Sequence, residues 1–80
     1  MEKEFSKEFI GGNIRRCRMQ CGAKQTDFAK LLDMDYQNYS KMERGIYFPS
    51  LSKLLYICLI LEKTPNELLS CQMAEEEEKM

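Results

Sequence analysis

Apolar side chains recur along this chain at steps of three and four, the spacing that gathers them on one face of an α-helix. Phe9, Ile10, Ile14 and Cys17 form the first stripe, with Ser6 placed to cap the helix and Gly22 to end it. Arg15, Arg16 and Arg18 make a ridge that falls mostly off this stripe. A shorter set follows, Phe28, Leu31 and Leu32 with the small Ala29, and needs only two turns. Asp33 and Asp35 then interrupt, and Asp35 is a good N-cap for a third segment from Tyr36 to about Arg44. Gly45 stops that segment, and Pro49 closes the next loop. Ser50 opens a fourth run, in which Leu51, Leu54, Leu55, Cys58 and Leu61 share a face that Ile57 and Ile60 widen. A helix this apolar nearly all round is predicted to be the central core element. Thr64-Pro65-Asn66-Glu67 combines an N-cap, a proline at the first helical position and a capping-box glutamate, and Leu68, Leu69 and Met73 follow on a short fifth helix. No stretch alternates as a strand does. The pattern predicts an all-α fold of five short helices.

Eighty residues, 44% of them hydrophobic and 31% charged, suit one small globular domain. No apolar run approaches the ~18–20 residues of a membrane span, and the acidic start MEKE is no signal peptide. The expectation is a soluble, cytoplasmic protein without a membrane partner. Net charge is −1, but the average conceals a division. Residues 1–53 carry ten Lys and Arg against seven Asp and Glu, a balance of +3. Residues 54–80 carry two against six, a balance of −4, most of it from Glu75, Glu76, Glu77 and Glu78. A basic body with an acidic end keeps an anionic partner in play.

The inventory for enzymatic chemistry is thin. The chain has no histidine, the commonest general base and the commonest metal ligand, and neither a GxxxxGK[ST] nor a GxGxxG phosphate loop. Capping accounts for Asp33 and Asp35 without catalysis. No enzyme, cofactor or metal site is expected. Cys17, Cys21, Cys58 and Cys71 contain no CxxC pair. Cys17 and Cys21, four apart, can share a helix face, although helix geometry holds two such thiols poorly for a disulfide. They are read as ordinary thiols in a reducing compartment.

One continuous stretch carries more. Gln25-Thr26-Asp27-Phe28-Ala29-Lys30-Leu31-Leu32, then Tyr39-Ser40-Lys41-Met42-Glu43-Arg44-Gly45, then Pro49-Ser50-Leu51, resembles the lambda-repressor/Cro-like (XRE-type) helix-turn-helix family of DNA-binding regulators. The resemblance extends upstream through Ile14, Arg15 and Arg18, and downstream through Leu54, Ile57, Leu61 and Glu67-Leu68-Leu69. It implies a compact five-helix domain over residues 10–70, with its helix-turn-helix at helices 2 and 3. Residues 1–9 would form the lead-in and the start of helix 1, and residues 71–80 an acidic tail. The spacing has its own logic. Two short helices meet steeply only where the contacting residue is small, as Ala29 is, and the second must turn one side to the core and the other to a major groove. Tyr39 and Met42, three apart, would face inward and leave Tyr36, Gln37, Asn38 and Lys41 outward. Glutamine and asparagine each offer a donor and an acceptor to base edges, and lysine reaches guanine or phosphate.

The resemblance also assigns roles. Gln25 matches a position that touches the DNA backbone; Tyr36, Gln37 and Lys41 match positions that approach bases, with Asn38 and Ser40 close by. Arg44 matches a phosphate contact. Arg18 and Glu43 match a salt bridge between the first and third helices. Departures are visible too: Lys24 stands where a capping Ser or Thr is usual, Asp33 where the turn often has glycine, and Tyr39 where an aliphatic residue is usual. Aspartate tolerates a left-handed backbone, so the turn is expected to survive. The function so read is a sequence-specific regulator of transcription, a repressor on a palindromic operator in double-stranded DNA. A homodimer is expected to form through the late helix, Leu68, Leu69 and Met73, with Tyr56 and Leu59 contributing. The alternative is a protein-interaction module, an antitoxin or adaptor that holds a protein partner with its helical body and acidic tail.

Overall fold

The computed structural model describes residues 6–69, which form five helices: α1 (Lys7–Gln20), α2 (Gln25–Leu31), α3 (Tyr36–Glu43), α4 (Leu51–Leu61) and α5 (Pro65–Leu69). Local chemistry explains where they start. A helix leaves its first N–H groups without partners, and a side-chain oxygen at the N-cap supplies one. Ser6 Oγ accepts from the Phe9 N–H at 3.0 Å, an Asp35 carboxylate oxygen from Gln37 at 3.1 Å, and Ser50 Oγ from Lys53 at 3.2 Å. At α5 the Glu67 N–H donates to Thr64 Oγ1 at 3.1 Å while the Thr64 N–H donates to Glu67 Oε1 at 2.8 Å, a complete capping box. Before α2 Lys24 has no oxygen to offer, and only the return half of that arrangement forms: the Lys24 N–H donates to Asp27 at 3.0 Å. The turn between α2 and α3 runs through Asp33 at φ 56°, the left-handed backbone expected of it.

The central element is α1, not α4. Helix α1 packs against α3, α4 and α5, and α2 packs against α3. Ile10, Ile14 and Cys17 from α1 meet Phe28, Ala29, Leu32, Tyr39, Met42, Ile57, Cys58, Leu61 and Leu68 in one core. Helices α1 and α3 approach closely at Gly11, where a Cβ would stand 2.4 Å from the Met42 carbonyl oxygen and 2.7 Å from that of Glu43. Gly45 serves the same contact from just beyond that end of α3: its φ is +82°, and a Cβ there would lie 2.7 Å from Glu8 Cα.

Several expectations are corrected. Helix α4 turns Ile57, Cys58 and Leu61 inward, while Leu51 is 71% exposed and Leu55 45%. An all-round apolar helix has no polar face to set its rotation; the side that α1 and α5 cover decides it. Leu31 is also exposed, because α2 meets the core through Phe28, Ala29 and Leu32. Leu68 is wholly buried and so cannot offer the expected dimer surface, while Leu69 packs half-buried against the core. Met73, Cys71 and the acidic tail lie outside the described residues. Cys17 and Cys58 are buried, and Cys21 sits exposed at the C-cap of α1, one helical turn beyond Cys17. Among the described residues no helix is long and apolar enough to cross a membrane, and no group of three or more Cys, Asp or Glu could hold a metal ion.

Candidate nucleic-acid interface

Helix α3 has two sides of opposite character, fixed by its sequence. At 100° per residue, Tyr39, Met42 and Glu43 fall on one side and Gln37, Lys41 and Arg44 on the other. The structure follows that division: Tyr39 and Met42 are completely buried and Glu43 nearly so. Gln37, Asn38, Lys41 and Arg44 are exposed, Tyr36 is half-exposed at the helix start, and Ser40 sits at the boundary. The outward face thus collects two amides and two cations. Arg44 is the C-cap residue, just past the last helical turn.

The buried side holds an ion pair that ties the helices together. Arg18 Nε donates to Glu43 Oε2 at 2.7 Å and Arg18 Nη2 to Glu43 Oε1 at 3.2 Å, a two-pronged contact that matches the planar guanidinium to the carboxylate. The hydrogen bonds to Glu43 raise the pKa of Arg18. Arg18 Nη1 donates to the Ala23 carbonyl oxygen at 2.7 Å, which anchors the α1–α2 turn. Both side chains are almost out of water, so losing one partner would strand the other at a cost of about 3–5 kcal/mol.

Gln25 has a partner inside the protein. This residue is half-buried at the first position of α2, and its side-chain nitrogen donates to Glu43 Oε1 at 2.9 Å. The same carboxylate therefore receives donors from both α1 and α2. Gln25 and Tyr36 line an open hollow of about 520 Å³, together with Lys24 and the edge of Arg18.

Tyr39 closes the inner side. Its ring meets Phe28 edge-on, with centroids 6.3 Å apart, and its hydroxyl is buried without a hydrogen bond. Burial, and then the Glu43 carboxylate, push its pKa upward, which keeps the hydroxyl neutral.

Three contacts carried no signal in the sequence. The Tyr47 hydroxyl donates to the Asn38 carbonyl oxygen at 2.8 Å and clips the loop after α3 onto that helix. Lys53 Nζ donates at 2.6 Å to the Leu32 carbonyl oxygen, the C-cap of α2, where a cation also meets the negative end of the helix dipole. The buried Asn13 donates to the Leu69 carbonyl oxygen at 3.1 Å and fastens the end of α5 to α1. Each partner lies at a long or irregular separation that no periodicity marks.

Two short helices joined by a left-handed turn, the second backed by the core and open on its polar side, define a helix-turn-helix protein. A family model of the helix-turn-helix domain matches residues 10–69, and the chain belongs to that family. Its fold is shared by two crystal structures of the clp gene regulator ClgR from Corynebacterium glutamicum, each with a TM-score of 0.74. The first is 24% identical, with 85% of this chain and 87% of that one covered; the second is 22% identical, with 89% and 83% covered. No curated protein matches the chain in sequence.

Proposed function

We propose that this protein is a sequence-specific double-stranded DNA-binding regulator of transcription, a repressor that occupies its operator. The observation that carries the reading is the division of α3: Gln37, Asn38, Lys41 and Arg44 stand in solvent while Tyr39 and Met42 are buried behind them. A major groove accepts an α-helix, and bases there present donors and acceptors that amide side chains can match. In this reading Tyr36, Gln37 and Lys41 approach bases, Asn38 and Ser40 stand beside them, and Arg44 meets phosphate. The two solved relatives of this fold bear the name of a gene regulator, which accords with the proposal.

A single such helix reads few base pairs, so a palindromic operator and a homodimer complete the proposal. The dimer face moves with the corrected core. Leu51, Leu55, Tyr56 and Leu59 stand exposed on α4 and replace the buried Leu68. A DNA ligand also places the work of the protein in the cytoplasm.

Selection of duplexes from a random pool by the purified chain tests this directly, and one enriched palindrome is the expected result. On that duplex, affinity falls steeply as salt rises. Lys41→Ala and Arg44→Ala each weaken binding, and Arg44→Ala reduces the salt slope by about one. Gln37→Ala relaxes preference at one base position by about 1–3 kcal/mol. All three sites are exposed, so circular dichroism is expected to show folded variants. Parental affinity in all three would remove α3 as the reading element.

A further inference from the structure

We infer that Gln25 sets the pose of α3 by holding Glu43, and so acts as a positioning residue and not through direct contact with DNA; the inference rests on the DNA-binding reading above. Its side-chain nitrogen lies 2.9 Å from Glu43 Oε1, the oxygen that also takes Arg18 Nη2 at 3.2 Å. Glu43 is the last residue of α3 and its side chain is wholly buried. A buried carboxylate needs its lone pairs occupied, and an ion pair alone seldom fills them. Arg18 supplies two donors from α1, and Gln25 supplies the third from α2 without adding charge.

The geometry makes this bond a lever. Gly11 brings α1 against the carbonyl oxygens of Met42 and Glu43, so the end of α3 is gripped by α1 through both backbone and side chain. The Gln25 amide is the side-chain hydrogen bond from α2 to that same end. The eight residues of α3 span about 12 Å at a rise of ~1.5 Å each, so a tilt of ~5° at Glu43 displaces Tyr36 and Gln37 by about 1 Å. Recognition geometry tolerates roughly half that displacement. Base readout at one end of the helix therefore depends on a carboxylate held at the other.

A direct phosphate contact from Gln25 makes the opposite forecast, because its amide keeps a second N–H. The two are separated by a double-mutant cycle on the duplex that the parent enriches, using Gln25→Ala, Glu43→Met, which has no oxygen to accept from Gln25, and the pair, each checked for folding by circular dichroism. Positioning through Glu43 predicts that Gln25→Ala weakens binding about tenfold in the parent and less than about twofold once residue 43 has no acceptor. Equal losses in both backgrounds mean that Gln25 touches DNA itself, and overturn the inference. So does parental affinity in Gln25→Ala. If Glu43→Met does not fold, the side-chain amide signal of Gln25 in the parent decides by NMR. A signal unchanged when operator is added supports the brace, and one that moves with the phosphate-facing backbone overturns it. Failure of the parent to enrich any duplex is a different result, and it removes the DNA-binding reading first.

Discussion

Two buried polar side chains show how differently a core can treat a polar atom. Asn13 is completely buried, yet its amide reaches the Leu69 carbonyl oxygen and its own oxygen receives Arg16 Nη1 at 3.3 Å. The Tyr39 hydroxyl is as deeply buried and has no hydrogen bond. An unmade hydrogen bond costs the desolvation of the group, about 1–3 kcal/mol, with nothing to offset it. Tyr39→Phe keeps the ring against Phe28 and removes the orphan, so urea denaturation is expected to find it equal to the parent or more stable by about 1 kcal/mol. A loss of more than that would show the hydroxyl working for Glu43. The pH dependence follows from the same burial. The folded state holds the Tyr39 proton more tightly than an unfolded chain, whose tyrosines ionise near 10.0, so the contribution is fully present below that pH. It is lost above, by up to about 1.4 kcal/mol per pH unit, and Tyr39→Phe is expected to flatten this alkaline limb.

Between elements, two adjacent glycines in α1 make a controlled comparison. Alanine gains about 1 kcal/mol over glycine in a helix interior. At Gly12 nothing lies within 4 Å of a new Cβ, so Gly12→Ala is expected to raise stability by about 0.5–1 kcal/mol. At Gly11 the same methyl meets two backbone oxygens of α3 at under 3 Å, and backbone cannot move aside as a flexible side chain does. The helix gain is then outweighed by overpacking of about 1–3 kcal/mol or more, and thermal melts are expected to show Gly11→Ala less stable than the parent. Equal effects at the two sites would mean that α1 and α3 do not meet as described. What the sequence revealed follows the same line between local and distant causes. Ser6, Asp35, Ser50 and the Thr64–Glu67 pair announced their helices because capping is settled within four residues. The division of α3 and the Arg18–Glu43 pair were legible from periodicity and motif. The close approach at Gly11, the inward reach of Gln25 and the outward turn of Leu31 depend on which helix lies opposite, and no spacing along the chain encodes that.

For the molecule as a whole, the decisive surface is the side of α4 that the core left uncovered. Leu51, Leu55 and Leu59 follow at four-residue steps and form one exposed ridge, with Tyr56 beside it. Lys53 is the one charge on this helix, and its ammonium is engaged by the Leu32 carbonyl oxygen. The ridge thus offers a partner apolar contact and no ionic complement, which suits a second copy presenting the same ridge across a two-fold axis. A palindromic operator needs that axis, since its half-sites lie about 34–36 Å apart and a lone α3 reaches only one. Leu51→Lys with Leu59→Lys places two like charges on each copy at positions more than 70% exposed, where folding gains little from leucine. The double variant is expected to keep the parent's thermal midpoint, to sediment as a monomer at concentrations where the parent is dimeric, and to lose at least tenfold affinity for the palindrome. Its affinity for an isolated half-site is expected to stay near that of the parent, because α3 lies outside the change. A variant that still dimerises, or a parent that never does, would place the two-fold contact elsewhere or remove it, while the face of α3 would stand on its own evidence.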